Sequence, residues 1–294
     1  MKTVFDWLSW GTQSLSGISG DQAELEARLL WAHADGIGVS EILAQLRDPV
    51  SDVDTTNRYQ SLVQLRQTHK PLAYILNEAV FRGRSYRVQP GVLIPRPETE
   101  ELVDYALRLN PSIVFDVGFG SGVIAIELAI HNPNAAVYGW DISQIAYMTA
   151  THNAAVHSCD HITFYKQNFF HDQPTWQPII HQQSPVLVVS NPPYIKRSVL
   201  PTLDRDVIDF EPKAALDGGQ SGIAFYKRLF AYLAQSNVVM MVEIGYDQGP
   251  CLLALLDQLG YRYTRLLSDL SGHDRFIVAS FDRVDEWLSL FDLS

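Results

Sequence analysis

The sequence has few cysteines, no long apolar run and a deficit of positive charge. Its two cysteines, Cys159 and Cys251, match no zinc or thioredoxin spacing, which argues against a disulfide framework or a redox site. No uninterrupted run of about 18 apolar residues occurs, so a membrane-spanning helix is not expected. Residues 1–10 carry one lysine and no continuous apolar stretch, which does not fit an export signal. We therefore expect a cytoplasmic protein.

The charge balance disfavours nucleic acid as a general partner. The 294 residues include 22 Lys and Arg against 33 Asp and Glu, a formal net charge of -11. Such a chain repels phosphate backbones at long range. The content of 47% hydrophobic and 19% charged residues indicates an ordinary globular protein, and the length suits one large domain with or without a small one.

The first quarter of the chain shows helical periodicity. Between Gly20 and Leu46 apolar residues recur at spacings of three and four, interrupted by glycines, which predicts two helices and a turn. A further helix is predicted from residue 51 or 52 to residue 67. We interpret residues 1–75 as a helical domain.

The pattern then changes to that of strands. Residues 79–88 alternate apolar and polar side chains around Gly83, which predicts a β-hairpin within a linker of residues 76–95. From residue 96 to residue 282 strands and helices alternate, which predicts an α/β domain with a mostly parallel sheet. The strands are predicted at 112–116, 136–140, 162–165, 185–190 and 238–244, followed by an antiparallel pair at 261–267 and 275–281. The helices are predicted at 97–109, 123–130, 143–156 and 249–259. Residues 283–294 are interpreted as a tail with a short helix that packs back on the domain.

A glycine-rich turn follows the first strand of this domain. Gly118, Gly120 and Gly122 come directly after Asp116, and glycines let a backbone turn tightly and approach a ligand closely. Their spacing differs from the G-x-G-x-x-G pattern of dinucleotide binders. Asp141 ends the next strand, where a carboxylate can accept hydrogen bonds from a ribose diol. The pair favours a cofactor with ribose and methionine parts but no pyrophosphate, while a plain strand-to-helix turn with a capping Asp remains the alternative.

The most informative motif is Asn191-Pro192-Pro193-Tyr194, directly after an apolar strand. Two consecutive prolines fix φ at about −65° and make the loop rigid before a ligand arrives. The Asn191 side chain and the Pro192 carbonyl can converge as two acceptors on one NH₂ group, and Tyr194 offers a face on which a flat group can stack. The alternative is a structural turn.

An amide nitrogen needs such a device because its lone pair is delocalised into the carbonyl group, which makes it a poor nucleophile. Two acceptors that hold both N–H bonds can place the nitrogen in line with a sulfonium methyl group. They also stabilise the positive charge that develops on the nitrogen during transfer. The motif therefore predicts methylation of a planar nitrogen without a strong general base.

Six blocks of the sequence carry a resemblance to a known family. They are Lys70-Pro-Leu-Ala-Tyr-Ile75, Leu93-Ile-Pro-Arg-Pro-Glu-Thr-Glu100, the glycine turn, Asn191-Pro-Pro-Tyr194, Phe210-Glu-Pro212 and Ala215-Leu-Asp-Gly-Gly219. With these blocks the chain resembles the peptide chain release factor glutamine N5-methyltransferases from about Gln67 to Ala279. The Asn-Pro-Pro-Tyr block is shared with enzymes that methylate adenine and guanine amino groups, whereas the block at 93–100 is much narrower.

The resemblance implies a Rossmann-like class I methyltransferase sheet with S-adenosyl-L-methionine as cofactor. It implies, as substrate, the glutamine of the Gly-Gly-Gln motif of peptide chain release factors, docked by the helical domain. The cofactor would contact Gly118, Phe119, Gly120, Ser121, Gly122, Asp141, Asn168, Phe169 and Asn191. Catalysis would depend on Asn191, Pro192 and Tyr194. The substrate would contact Asn191, Pro192, Pro193, Tyr194, Arg96 and Glu98. We expect a monomer with no metal, no membrane partner and no direct nucleic-acid partner.

Two residues depart from the family pattern. Phe119 replaces a small polar residue in the glycine turn, and Asn168 stands where the family commonly has Asp. Asn offers one neutral acceptor instead of a carboxylate, which puts the strength of cofactor binding in doubt.

Other interpretations remain open. They are an amino-methyltransferase that acts on a nucleic-acid base, a methyltransferase for a ribosomal protein glutamine, and an inactive scaffold. The chain's own Gly218-Gly-Gln220 raises the idea of self-methylation, which we disfavour. The residues His157, Cys159, Asp160 and His161 are interpreted as a solvated turn rather than a metal site.

Overall fold

The computed structural model describes residues 2–182 and 186–281, so the predicted tail at 283–294 lies outside the described residues. The chain divides into two compact units. The helical unit contains Met1–Glu78 and, separately, Asp204–Phe210. The sheet unit contains Ala79–Leu203 and the chain from Glu211 onward. The segment 204–210 was not assigned to the helical domain by the sequence.

The helical unit begins with five helices in succession. They are α1 (Val4–Ser19), α2 (Ala23–Asp35), α3 (Val39–Gln45), α4 (Val53–Gln67) and α5 (Leu72–Leu76). Their apolar faces form one core that includes Leu15, Leu30, Trp31, Tyr59 and Val63. The predicted turn between α2 and α3 is present, with Gly36 in the left-handed conformation at the end of α2.

Helix α1 was not predicted, although the sequence carries a signal for its start. Thr3 and Asp6 form a capping box, in which the Asp6 amide donates to Thr3 Oγ1 and the Thr3 amide donates to Asp6 Oδ2. Val4, Leu8 and Leu15 are its buried large apolar residues, at a spacing that fits one helical face.

The segment 204–210 is held in the helical unit by a buried cation. Arg66 of α4 lies 2.8 Å from Glu26 Oε2 and 2.9 Å from Asp206 Oδ2, and only 6% of its side chain is exposed. His69 Nδ1 lies 3.2 Å from the other oxygen of Asp206. Removal of either carboxylate would leave Arg66 poorly compensated in a buried site, so this triad fixes the late segment to α4.

The sheet unit has nine strands among the described residues. They are β1 (Glu78–Phe81), β2 (Arg84–Arg87), β3 (Ile113–Val117), β4 (Ala136–Asp141), β5 (Thr163–Lys166), β6 (Val186–Ser190), β7 (Val238–Glu243), β8 (Tyr263–Ser268) and β9 (Asp274–Ser280). Strands β1 and β2 form the predicted hairpin, and the other seven form one sheet in the order β5-β4-β3-β6-β7-β9-β8. Within this described sheet β9 runs opposite to the other six strands, which all share one direction.

Eight helices follow α5 in the described chain. They are α6 (Pro97–Arg108), α7 (Val123–His131), α8 (Gln144–Val156), α9 (Gln173–Gln182), α10 (Arg205–Ile208), α11 (Lys213–Leu216), α12 (Ala224–Leu233) and α13 (Gly249–Gln258). Of these, α10 belongs to the helical unit. No described helix is both long and apolar enough to cross a bilayer.

Residues on the inner strands alternate between two cores, one on each face of the sheet. On β6, Leu187 and Val189 enter one core and Val186 and Val188 enter the other. This explains the continuous apolar runs of the sequence, because a parallel sheet is buried on both faces. The strand order places the switch in chain direction between β3 and β6, and ligands bind at the carboxyl ends of strands at such a point.

Candidate active site

A cavity of about 370 Å³ lies at the carboxyl ends of the parallel strands of the sheet unit. Its walls come from the segments that follow β3, β4, β5 and β6, from the chain before and within the start of α6, and from residues of α11 and α12. This volume lies within the usual range of small-molecule sites, about 300–1,000 Å³.

The glycine turn after β3 forms one wall. Gly118 and Gly120 have φ values of 84° and 54°, and a Cβ atom at either would meet nothing within 4 Å. The backbone is therefore open toward the cavity at both positions, as a cradle for a ligand requires. Gly122 has a different task, because a Cβ there would lie 2.9 Å from the Ala150 Cβ of α8. It allows α7 to start close to α8.

Asp141 ties the glycine turn to the next strand. Its Oδ2 accepts from the Gly120 amide at 3.0 Å, and its Oδ1 accepts from the Ser143 amide at 2.8 Å. Burial raises the pKa of this carboxyl, and the hydrogen bonds from Ser143 and Gly120 oppose that shift. A carboxylate has about four acceptor positions, so Asp141 keeps capacity for two hydroxyl groups of a ligand.

Phe119, one of the two departures from the family pattern, is accommodated by Gly139 on β4, which has no side chain in its way. It is buried, lies 4.7 Å from Phe164 between ring centroids, and packs with Val92, Ala146 and Ala150. The bulky ring is therefore anchored in a small core of its own while it also lines the cavity.

Aromatic residues form the opposite wall. Phe169 is buried and stacks on Trp176 at 5.3 Å, and Phe170 lies under the Arg228 guanidinium at 4.2 Å. Asn168, the second departure, uses Oδ1 to accept from the Phe170 amide at 3.1 Å, which caps the short 3₁₀ turn Phe169–His171. Its Nδ2 and the second lone pair of Oδ1 remain for a ligand.

The Asn-Pro-Pro-Tyr motif follows β6 and is held by side chains from two other elements. Asn191 Nδ2 donates to Thr99 Oγ1 of α6 at 2.9 Å. Thr99 Oγ1 donates to Glu243 Oε2 at the end of β7 at 2.7 Å. The Tyr194 hydroxyl donates to Glu243 Oε1 at 3.4 Å. Burial, together with the Glu243 carboxylate, raises the pKa of Tyr194, so its phenol is neutral at ordinary pH.

The backbone beyond the motif is fixed by a buried amide. Gln248 Nε2 donates to the carbonyls of Tyr194 at 2.9 Å and Gly222 at 3.2 Å, while its Oε1 accepts from the Gly245 amide. A Cβ at Gly218 would lie 2.6 Å from the Gly222 oxygen, so that position needs glycine for close backbone packing. The motif is therefore rigid on its downstream side as well as at its prolines.

Arg96 borders the cavity and pairs with Glu211. Its Nη2 lies 2.6 Å from Glu211 Oε1, and Glu211 Oε2 accepts from the Ile94 amide at 3.2 Å. This buried carboxylate joins two of the blocks singled out in the sequence, the one at 93–100 and the one at 210–212.

Comparison with known proteins decides the family. The PrmC N-terminal domain family matches residues 6–76, and the methyltransferase small domain family matches residues 100–220. The release factor glutamine methyltransferase of Bacillus subtilis is 34% identical over 292 residues, which cover 95% of this chain and 98% of that protein. The protein of the same name from Geobacter sulfurreducens is 34% identical over 94% of this chain and 95% of its own length.

This chain belongs to the release factor glutamine methyltransferase family. Its sheet is that of the class I methyltransferases, as predicted, and the protein is an enzyme that transfers methyl groups. The catalytic domain of hMettl16, solved in complex with hairpin 6 of the MAT2A 3′UTR, shares the fold with a TM-score of 0.54 at 14% identity, over 78% of this chain and 82% of that chain. At that identity the likeness concerns the fold alone.

The methyltransferase brings most of the predicted site residues to one cavity. Those that line it are Arg96, Gly118, Phe119, Gly120, Ser121, Asp141, Asn168, Phe169, Asn191, Pro192 and Pro193. The predicted residues that are not among its lining residues are Glu98, Gly122 and Tyr194. Tyr194 instead directs its hydroxyl to the buried Glu243, and Glu98 lies close enough for its charge to raise the pKa of Tyr194.

Two residues of the methyltransferase site were not singled out by the sequence. Glu243 is 1% exposed, and Gln248 is 3% exposed. The signal that could have found them is the run Glu243-Ile-Gly-Tyr-Asp-Gln248 directly after an apolar strand, because polar residues at the carboxyl end of a central strand face the site in this fold. Thr99 lies in the block at 93–100 but was given no role of its own.

From the sequence, we interpreted His157, Cys159, Asp160 and His161 as a solvated turn rather than a metal site. His157 Nε2 lies 2.8 Å from the Ser85 carbonyl oxygen. Within residues 2–182 and 186–281 of the methyltransferase, no group of three or more His, Cys, Asp or Glu side chains is arranged to hold a metal ion.

Proposed function

We propose that the enzyme transfers a methyl group from S-adenosyl-L-methionine to the side-chain amide nitrogen of the glutamine in the Gly-Gly-Gln motif of peptide chain release factors. The relatives at 34% identity carry the name release factor glutamine methyltransferase, which supports this substrate class. The observation that supports the chemistry is the contact between Asn191 Nδ2 and Thr99 Oγ1. With its nitrogen engaged there, Asn191 offers Oδ1, an acceptor, to a substrate NH₂ group.

The residues of the cavity fit the proposed cofactor. A glycine backbone without obstructing Cβ atoms, a carboxylate with spare acceptor positions and aromatic walls suit the methionine, ribose and adenine parts of one molecule. Gly118 and Gly120 would face the methionine part, Asp141 the ribose diol, and Phe169 the adenine side. When bound, this cofactor supplies a methyl group activated by a positively charged sulfur.

The chain's own residues then act on the glutamine amide. Asn191 Oδ1 and the Pro192 carbonyl would accept its two N–H bonds and hold the nitrogen at one position and orientation. As the nitrogen gains positive charge, both N–H bonds become stronger donors, so the two acceptors stabilise the transition state more than the ground state. Pro193 has a fixed φ, which limits the movement of the loop that presents the Pro192 carbonyl.

The test is a transfer assay with methyl-labelled cofactor. We expect label in a purified release factor and none in the same factor with its Gly-Gly-Gln glutamine changed to alanine. RNA, DNA and ribosomal proteins are assayed beside it. Label in any of these at a higher kcat/KM than in the release factor would replace the proposal by the corresponding alternative, and absence of cofactor binding by calorimetry would leave only the inactive scaffold.

Self-methylation is tested in the same assay without substrate. Gln220 is exposed, so burial does not protect it from methylation. We expect mass spectrometry of the enzyme incubated with cofactor to find no methyl group on Gln220, because the preceding residues Leu216, Gly218 and Gly219 are hydrogen-bonded to the backbone of Ile195 and Arg197.

A further inference from the structure

Glu243 is a buried carboxyl group with no place in the proposed reaction. It ends β7, is 1% exposed, and is not among the residues that line the cavity. Burial of a carboxylate is costly unless hydrogen bonds compensate it. Both of its oxygens are used: Oε2 accepts from Thr99 and Oε1 accepts from Tyr194.

We propose that Glu243 is a positioning residue that acts through Thr99 to fix which end of the Asn191 side-chain amide faces the substrate. The inference rests on the proposed function, in which Asn191 is an acceptor for the glutamine amide. Glu243 thereby decides whether Asn191 presents its oxygen to the substrate.

The direction of each hydrogen bond follows from the chemistry of the groups. An ionised carboxylate only accepts, so Thr99 must give its single hydroxyl proton to Glu243. The Thr99 oxygen then offers only lone pairs to Asn191, which must present Nδ2 to it. The relay therefore runs one way, from the Asn191 amide through the Thr99 hydroxyl to the Glu243 carboxylate.

Shape alone would not make this choice. The oxygen and nitrogen ends of an asparagine side chain are nearly the same size, so packing scarcely distinguishes the two orientations of Asn191. In the reversed orientation the Asn191 NH₂ group would face the NH₂ group of the substrate glutamine, and neither could accept. The relay removes this unproductive orientation.

The second oxygen of Glu243 extends the control to the other end of the motif. The Tyr194 hydroxyl donates to Oε1. Tyr194 directly, and Asn191 through Thr99, are therefore both hydrogen-bonded to one residue on a central strand. β7 is paired on both sides, with β6 and β9, and all its residues are buried. A rigid strand thus sets the position of both ends of the loop.

The charge of Glu243 is poised to change under ordinary assay conditions. Burial raises its pKa to about 7, while the Thr99 bond and the Arg275 charge of β9 oppose the shift and the Glu98 charge of α6 adds to it. The Tyr194 hydroxyl also donates to it, and the Tyr226 hydroxyl of α12 donates to its backbone oxygen at 2.6 Å. A protonated Glu243 carries a donor of its own and no longer dictates the direction of the relay.

Steady-state kinetics with a release factor substrate test the inference. Thr99→Val has nearly the same shape without the hydroxyl, and we expect kcat to fall about 10-fold or more with cofactor affinity kept, by comparison with removal of one charge-stabilising group. Thr99→Ser, which restores a hydroxyl, should recover most of that loss. Glu243→Gln should lower kcat at pH 8, and the double variant Thr99→Val with Glu243→Gln should be no worse than Thr99→Val, since both break one relay.

The pH profile separates positioning from mere support of the fold. Wild-type kcat should rise as pH increases through about 7, and Glu243→Gln should lack this rise while it still unfolds in one cooperative transition in urea on both sides of pH 7. Wild-type turnover in both Thr99→Val and Glu243→Gln, or a rise of the same size in Glu243→Gln, would overturn the inference.

A measurement without substrate distinguishes this inference from the proposed function. The side-chain NH₂ signals of Asn191, identified by their loss in Asn191→Ala, should exchange slowly with solvent in the wild type and faster in Thr99→Val. They should shift as pH passes through about 7 in the wild type and not in Glu243→Gln. Equally fast exchange in the wild type and in Thr99→Val would contradict the relay. If the Asn191 amide is protected but the transfer assay puts no label in the release factor, the relay stands and only the proposed substrate is wrong.

Discussion

A Cβ atom placed on Gly139 would lie 2.9 Å from Cδ1 of Phe119 and 2.7 Å from Cδ1 of Phe164. Gly139 is in β4, and Phe119 is in the turn after β3, its neighbour in the sheet. The bulky Phe119 side chain therefore fits in the glycine turn because Gly139 on the adjacent strand has no side chain. The two positions form one packing unit that keeps the turn in place beside the cavity.

We predict that Gly139→Ala destabilises the protein by about 1–3 kcal/mol, as overpacking of a closed core does. It should also weaken cofactor binding, because Phe119 must move and it lines the cavity. Urea unfolding and calorimetric titration with the cofactor measure the two effects.

Gly17→Ala is the matched control for this change. Gly17 lies in α1, and a Cβ there would meet nothing within 4 Å. That substitution should leave cofactor affinity unchanged and raise stability by up to about 1 kcal/mol through helix propensity. A stability gain in Gly139→Ala comparable to that in Gly17→Ala would show that the turn has room for the extra carbon.

The second prediction concerns the acceptor itself. Asn191→Ala should fold, still bind cofactor and lose about 10²–10³ in kcat, by analogy with removal of one charge-stabilising group. Asn134→Ala, at an exposed turn position of the sheet unit, is the control. Turnover of Asn191→Ala within the range of that control would count against the role of the Asn-Pro-Pro-Tyr motif in holding the amide.

The third prediction follows from a buried carboxyl group behind the glycine turn. Asp116 is 0% exposed, its Oδ2 accepts from the Ala125 amide at 3.1 Å, and its Oδ1 has no hydrogen-bond partner among the described residues. Burial raises its pKa to about 7, and the nearby Asp141 charge adds to the shift. The folded protein therefore holds a proton on Asp116 over a pH range in which the unfolded chain has released it.

The sign of the pH dependence follows from this. Between pH 3.8, the ordinary pKa of the group, and about 7, the folded state binds more protons than the unfolded state, so stability falls as pH rises and levels off above about 7. Asp116→Asn removes this contribution, so its stability relative to wild type should increase from pH 5 to pH 8 in urea unfolding. Asp160→Asn, at an exposed position, is the control. A constant difference between Asp116→Asn and wild type across that range would contradict the prediction.

The fourth prediction tests the docking role proposed for the helical unit. Deletion of residues 1–75 would remove Arg66 and His69, the partners of Asp206, so truncation would also disturb the segment 204–210. Point changes avoid this. Phe5, Leu43 and Val53 are large apolar residues with 60%, 63% and 66% exposure, and each can be changed to serine without opening the core.

We expect at least one of these three serine variants to raise the KM for a full-length release factor while kcat and cofactor affinity stay at wild-type values. Met148→Ser, with 59% exposure on α8 of the sheet unit, serves as the comparison. Unchanged KM in all three variants, and in the triple variant, would remove these positions from the docking surface.

The parts of the structure that could be predicted are those whose signal is local. Strand, turn and helix alternate at short range, so the parallel sheet and the hairpin at 79–88 were predictable. The glycine turn and the Asn-Pro-Pro-Tyr motif mark the ends of β3 and β6. Helix α9 was missed because it contains Pro178, which lacks an amide donor and usually ends a helix. Helix α12 was missed although Tyr226, Leu229, Phe230 and Leu233 have helical spacing.

The parts that could not be predicted depend on contacts between distant positions. Thr99 and Glu243 are separated by 144 residues, and Asn191 and Thr99 by 92. No periodicity or short motif encodes such a pairing, because it exists only after the sheet fixes the register of β6 against β7. The same holds for Gly139, whose reason for being glycine lies in the neighbouring strand.

The division of the helical unit between residues 1–78 and 204–210 has a consequence for synthesis of the chain. A ribosome makes protein from the N-terminus, and domains generally fold as they emerge. The first five helices leave the ribosome well before Asp206, so during that interval Arg66 lacks one of its two carboxylate partners. The N-terminal unit reaches its final form only after β6 and the Asn-Pro-Pro-Tyr motif that follows it have been translated, which couples the maturation of the two parts of the enzyme.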